Sequence, residues 1–261
     1  MFIFIMTLAS PKWKPGHWDK VSEVCNNTIR SILNQTSDNF KLVLVCNEPP
    51  LNLPTSDKII VTKTSLPCPT DYAGVINDIF QKIKIGMTVA REYGPAFIMR
   101  IDADDFVSKE LVSFTEKHPD SNGWFINWGY CYDYFNQKIY HQPSLHLNCG
   151  TAHIVNCKEK DFPVSVDTPD EDWLKCIWQH QNINQFLKPL GRPLKILPFP
   201  GVVRSINTTI NAEAKPIAYK NAIKRFLTET FLRKYLSNKI IEEFTLPYNS
   251  ETVSIRQPST I

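Results

Sequence analysis

Asp102, Asp104 and Asp105 put three carboxylates within four residues, directly after the apolar run Ala96-Phe97-Ile98-Met99-Arg100-Ile101. Carboxylates that close repel one another, and a fold keeps them together only where water or a cation relieves the repulsion. Hard divalent ions such as Mg²⁺ and Mn²⁺ take carboxylate oxygens and bridge to substrate phosphates. A buried strand delivering such a cluster to a cleft is therefore a candidate metal–diphosphate site. The competing reading is an acidic turn in which Asp104 or Asp105 caps a helix starting near Ser108. Zinc chemistry has no comparable signature. His141 and His146 do not share a helical face, and the seven cysteines include no CxxC pair. An odd cysteine count, with several in apolar stretches, reads as reduced thiols in a cytosolic setting.

An acidic turn needs strands and helices to hold it. Residues 2–8 read as a fully buried first strand. Val21, Val24, Cys25, Thr28, Ile29 and Ile32 recur at helical spacing, which predicts an amphipathic helix over 19–35. A second buried strand follows over 40–46 and a short third over 58–62. A second helix over 76–93 stops at Gly94-Pro95, before a fourth strand over 96–101. That order favours an α/β fold with a mostly parallel, Rossmann-like sheet flanked by helices. Such sheets bind ligands at the carboxyl ends of their strands. Leu8-Ala9, Asn47-Glu48 and the turn at 102–105 should then converge on one cleft.

The segment 123–203 is rich in aromatics and short strands, and is expected to complete the sheet and build an acceptor pocket. One or two of Trp124, Trp128, Tyr130, Tyr132 and Tyr134 should touch the acceptor. Residues 215–241 read as a basic helix, and those after Pro247 as a loose tail. The expected division is 1–212 as one domain, with 1–110 binding nucleotide and 111–212 acceptor, and 213–261 as a basic extension.

Charge and composition exclude whole classes of function. Lys and Arg total 29 against 26 Asp and Glu in 261 residues, a net charge of +3 too small to grip nucleic acid. Apolar residues at 43% and charged residues at 21% fit a globular chain and exclude a disordered one. The opening MFIFIMTLAS lacks a basic start, and its apolar run stops at Ser10-Pro11, so a buried strand is expected rather than a leader. No stretch approaches the ~20 apolar residues of a membrane span. Lys215, Lys220, Lys224, Arg225, Arg233, Lys234 and Lys239 stand against Glu229 alone. If helical, they offer peripheral contact with an anionic inner membrane face. The competing reading packs the interleaved apolar residues on the domain and leaves the cations in water.

Four motifs in order carry a resemblance. Ser31-Ile32-Leu33-Asn34-Gln35-Thr36 with Asn39-Phe40 precedes a strand, and Ile98-Met99-Arg100-Ile101 leads into Asp102-Ala103-Asp104-Asp105. Cys149-Gly150-Thr151-Ala152-His153-Ile154 and Asp170-Glu171-Asp172-Trp173-Leu174 follow. Over roughly residues 1–180 the chain resembles family 2-like glycosyltransferases with their DxD motif. The resemblance implies a GT-A fold, a nucleotide-diphospho sugar donor, a carbohydrate or lipid-linked acceptor, and Mn²⁺ or Mg²⁺. It implies that Asp104 ligates the metal, that Asp102 faces metal-bound water or ribose, and that Asp105 supports the site. Thr7, Leu8 and Ala9 would wall the nucleotide site, and Glu48 stands where the family has an aspartate that contacts base or ribose. The Pro49-Pro50 that follows departs from the pattern. Asp78 and Lys82, one helical turn apart, would meet nucleotide or phosphate, or else form a surface i,i+4 pair. Arg100 reads as structural, and His153 as a cleft or core residue.

Asp172 is the candidate general base of an inverting transfer, with Glu171 orienting it. Thr168-Pro169 before these acids also fits a helix amino terminus. Two rivals share the diphosphate logic. A nucleotidyltransferase making an activated sugar would carry a glycine-rich loop after the first strand, where this chain has only Gly16. A non-catalytic nucleotide- or sugar-binding module would have no need of Asp102, Asp104 and Asp172 together. Asp172→Asn is expected to lower nucleotide-sugar turnover ~10²–10⁴-fold with donor affinity little changed. Steady-state kinetics beside a donor titration checks this, and equal loss of donor binding would make Asp172 a cap or donor ligand.

Overall fold

The computed structural model describes residues 1–13, 15–134, 136–169, 177, 181–208, 233–234 and 236–247. Its first half follows the predicted order: β1 (Phe2–Thr7), α1 (Trp18–Leu33), β2 (Phe40–Cys46), β3 (Ile59–Lys63), α2 (Tyr72–Ala90) and β4 (Ala96–Asp102). β1 lies between β2 and β4, parallel to both, and β3 pairs parallel with β2. Alternation along β1 explains the layers. Phe2, Phe4 and Met6 pack with Val21, Cys25, Ile29 and Ile32 of α1. Ile3 and Ile5 face the other way, onto Ile83, Met87 and Ala90 of α2. A side chain at Gly86 would put its Cβ 2.5 Å from Ile5 Cγ2, so only glycine lets α2 sit this close to β1.

The sheet continues beyond β4 with β9 (His153–Cys157), β6 (Gly123–Phe125) and β10 (Lys195–Ile196). β9 runs antiparallel to both β4 and β6. The expectation that 123–203 completes this sheet therefore holds for β6, β9 and β10 but not for the strands Trp128–Asp133, Lys138–Pro143 and Val202–Ile206. β6 is already paired on both sides, by β9 and β10. The next strands, β7 (Trp128–Asp133) and β8 (Lys138–Pro143), turn away into a second sheet with β5 (Phe106–Val107), β11 (Val202–Ile206) and β12 (Arg233–Lys234). Its order is β12-β8-β7-β11-β5. β7 rests so closely on β11 that a Cβ at Gly129 would come 2.5 Å from the Val202 carbonyl oxygen. Short helices α3 (Leu111–Glu116), α4 (Ile183–Leu187) and α5 (Asn238–Phe244) fill the periphery.

The predicted helix over 215–241 requires correction in its described part, while 209–232 lie outside the described residues. Arg233 and Lys234 form β12, pairing antiparallel with Tyr140 and Ile139 on the outer edge of β8. A new helix begins only after Ser237, which caps it by accepting from the Ile240 N–H. Phe244 and Leu246 then enter the second sheet's core with Phe106, Tyr132, Ile139 and Val203. This segment also bonds the first half of the chain, with Asn34 Nδ2 donating to Thr245 Oγ1 at 3.0 Å and Lys109 N–H to the Glu243 carbonyl at 3.1 Å. Residues after Pro247, read as a tail, lie outside the described residues. Among the described residues no helix is long and apolar enough to cross a membrane.

Phe244 is 1% exposed and packs edge-on against Tyr130. Phe244→Ala is therefore expected to cost about 3–5 kcal/mol, the usual range for a buried aromatic. Urea unfolding measures it, and an unchanged midpoint would make the segment an appendage.

Candidate functional site

A cleft of about 610 Å³ opens at the carboxyl ends of the parallel strands. Thr7 and Asp102 are register partners at the tips of β1 and β4. The loop after β1, the acidic turn after β4 and the first half of α2 wall the cleft, and Gly150, Arg204 and Ser205 close its far side. The turn forms because Asp105 N–H donates back to the Asp102 carbonyl at 3.1 Å. It carries the chain from the first sheet into β5 of the second.

The three carboxylates have different surroundings. Asp105 is 2% exposed and fully engaged. Its Oδ2 accepts from the Thr151 hydroxyl at 2.6 Å and the Cys149 thiol at 3.2 Å, and its Oδ1 from the Ser205 N–H at 3.0 Å. Burial, then the charge of Asp102, pushes its carboxyl up to about 6, although these donors pull the other way. Thr151 Oγ1 in turn accepts from the Asp102 N–H at 3.0 Å. Asp105 therefore caps no helix, and α3 starts without any side-chain cap.

Asp104 faces the cleft and accepts from the Thr208 hydroxyl at 3.3 Å. Burial, then the charges of Asp105 and Asp102, holds its carboxyl well above the usual range, with Thr208 and Arg204 opposing. Asp102 is more open, and its Oδ1 accepts from Arg100 Nη2 at 2.7 Å. The backbone at Gly150 passes directly over that pair. A Cβ there would lie 2.6 Å from Asp102 Oδ2 and 2.8 Å from Arg100 Nη2.

Among the described residues, no three His, Cys, Asp or Glu side chains come together to hold a metal ion. With Asp105 committed to internal donors, Asp102 and Asp104 are the carboxylates of the turn left to face a ligand in the cleft. One or two carboxylates suit a Mg²⁺- or Mn²⁺-type ion that keeps several waters and takes the rest of its ligands from substrate phosphates. The donor set fits an ion that arrives with a diphosphate.

Thr7, Ala9 and Asp78 line the cleft, as do Asp102 and Asp104. Lys82 stands behind this wall, 0% exposed, donating to Asp78 Oδ2 at 2.8 Å and to the Leu8 carbonyl at 2.9 Å. The pair is thus a buried tie between α2 and the tip of β1, not a solvated surface pair. Glu48 is exposed and outside the cleft lining. Its loop is held by Asn47, whose Nδ2 donates to the Leu66 carbonyl at 2.8 Å, and by the buried Pro50. Glu171 and Asp172 lie outside the described residues.

None of the five aromatics singled out in 124–134 lines the cleft. Trp124 is buried against Phe97 and Phe114. Tyr132 donates to the Pro247 carbonyl, and Tyr134 accepts from Asn27 Nδ2. The cleft instead presents Trp13 from the loop after β1, Trp18 from the start of α1 and Tyr72 from the start of α2. Their position beyond a strand's carboxyl end was the signal available. Arg100 and Arg204 also line it, and each interrupts an apolar strand, a sequence cue for a site-facing cation. His153 is buried within β9. The cysteines at 25, 46, 68, 131, 149 and 157 are all unbridged.

No family model matches the chain, and no curated protein matches it. Among solved structures it is similar to the 2-C-methyl-D-erythritol 4-phosphate cytidylyltransferase of Francisella tularensis. The identity is 11%, over 78% of this chain and 90% of that one, with a TM-score of 0.40. At that distance the likeness bears on neither substrate nor residue roles.

The Thr151 hydroxyl joins the Asp102 backbone to the Asp105 carboxylate, and valine would strand the Asp102 N–H and remove the shorter of the two bonds to Asp105 Oδ2. Thr151→Val is expected to cost about 1–3 kcal/mol, with Thr151→Ser restoring most of it. Urea unfolding of both variants checks this, and equal loss from both would assign the cost to packing.

Proposed function

We propose that the chain is a glycosyltransferase that moves a sugar from a nucleotide-diphospho sugar to an acceptor hydroxyl. The observation that carries this reading is the acidic turn. Asp102 and Asp104 stand at the carboxyl tip of a central parallel strand, facing a cleft whose volume suits a nucleotide-sized ligand. Asp104 and Asp102 would hold Mn²⁺ or Mg²⁺ against the diphosphate. A divalent ion supplies charge neutralisation for a diphosphate leaving group. Thr7 and Ala9 flank the nucleotide, and Asp78, held by Lys82, faces its nucleoside end. Arg100 fixes the rotamer of Asp102, and Gly150 leaves room for that pair. Trp13, Trp18 and Tyr72 offer flat faces for a base or sugar ring. Asp172 would take the proton of the attacking hydroxyl, with Glu171 orienting it. The acceptor is a carbohydrate or a lipid-linked sugar, reached from the cytoplasm. Contact with a membrane would rest on the basic residues of 215–232, since Arg233 and Lys234 belong to the second sheet.

Slow hydrolysis of a nucleotide-sugar panel with Mn²⁺, releasing nucleoside diphosphate, tests the reaction. Release of pyrophosphate from a nucleoside triphosphate and a sugar phosphate would make the chain a nucleotidyltransferase instead. Asp104→Asn is expected to abolish Mn²⁺-dependent binding of nucleoside diphosphate while the protein stays folded by circular dichroism. Unchanged binding by that variant would remove Asp104 from the site.

A further inference from the structure

The buried pair on α2 leaves one atom unaccounted for. Asp78 Oδ2 is taken by Lys82, but Asp78 Oδ1 is buried and has no hydrogen-bond partner among the described residues. A carboxylate oxygen withdrawn from water without a donor is costly, and such atoms are rare in folded proteins. Asp78 is 7% exposed and lines the cleft. The neighbouring lining is apolar or flat: Leu8, Tyr72, Val75 and Ile79. An apolar slot with one acceptor at its base is the complement of a flat heterocycle carrying an N–H.

We infer that Asp78 is the residue that reads the nucleobase, and that it selects a base with a ring N–H beside a carbonyl, the edge of uracil or guanine. This rests on the reading of the cleft as a nucleotide site. The ring N–H of an imide or lactam is a more acidic donor than the exocyclic amine of cytosine or adenine. A charged acceptor rewards that difference, because charge-assisted hydrogen bonds are the strong ones. Lys82 orients the reader: its enclosed ammonium donates to Leu8 O and Asp78 Oδ2, so Oδ1 is the oxygen left to accept. The same ammonium fixes the distance scale. It ties Asp78 to Leu8, one residue beyond Thr7, whose register partner is Asp102. The base reader and the acidic turn are thus one ammonium bridge and one strand spacing apart. Glu48, which the resemblance assigned to base or ribose, is exposed and outside the cleft.

Calorimetric titration of the full chain with UDP, GDP, CDP and ADP in the presence of Mn²⁺ tests the inference. UDP or GDP is expected to bind at least roughly tenfold more tightly than CDP and ADP, the worth of one hydrogen bond to a charged group. Methylating the ring N–H of the preferred base should erase that advantage. Asp78→Asn alone would strand the Lys82 charge, so Asp78→Asn/Lys82→Met is the companion variant. It is expected to bind all four nucleotides alike, at the affinity of the weaker ones. Equal binding of the four by the unaltered protein, or a preference untouched by methylation or by the double variant, would overturn the inference and leave the nucleotide reading standing. Failure of every nucleoside diphosphate to bind would overturn both.

Discussion

The carboxylate of Asp105 ties the two sheets together by hydrogen bonds to both. One of its oxygens is held by Thr151 and Cys149, from the loop that leads into β9 of the first sheet. The other is held by the backbone of Ser205, in β11 of the second. A buried charge with three donors tolerates little displacement, because each lost bond leaves an uncompensated group in a dry place. The acidic turn therefore has a fixed shape: all three carboxylates line the cleft, but both oxygens of Asp105 are taken by internal donors. A run of three acids divides its labour by burial.

Lys82 plays the corresponding part on the opposite wall. Its ammonium is enclosed, and it pins the tip of β1 to α2 through the Leu8 carbonyl and Asp78. Buried ion pairs of this kind add little to stability, since desolvation offsets most of the attraction. What they add is position. Between them, Asp105 and Lys82 hold the cleft's two walls with charged groups of the protein's own, leaving Asp102, Asp104 and one oxygen of Asp78 to meet a ligand. Gly86 and Gly150 serve the same geometry by omission, one admitting α2 to β1 and the other admitting the chain over Arg100 and Asp102.

The parallel part of the first sheet was legible because β1, β2 and β4 are predominantly apolar runs and their connections carry the punctuation of Pro and Gly. Ends were less so. α2 starts four residues before the expected beginning at Ile76, at Tyr72, because Asp71 accepts from the Gly74 N–H, and a cap has no periodicity to read. The second sheet was hidden for a different reason. β5 pairs with β11, and β8 with β12, across stretches of about ninety residues or more, and such pairings leave no local pattern. The site divided in the same way. The acidic turn announced itself by spacing, whereas the donors that shape it include a backbone N–H, which no residue type encodes. Glu48 could not be placed from sequence, since side-chain bonds from Asn47 to the carbonyls of Thr64 and Leu66 decide where its loop goes.

Asp105 and Ser205 are separated by one hundred residues of chain. On the ribosome, the parallel strands through β4 emerge early and hold contacts enough to fold against α1 and α2. The carboxylate of Asp105 must then wait in water until β11 has been made, and β8 meets β12 later still. A nascent chain of this protein would reach a native-like sheet well before it had an organised cleft. Ligand binding is thus a late property of the growing chain, and a premature stop just beyond residue 110 would yield a fragment with only the parallel strands β1 to β4 of the first sheet and an unformed acidic turn.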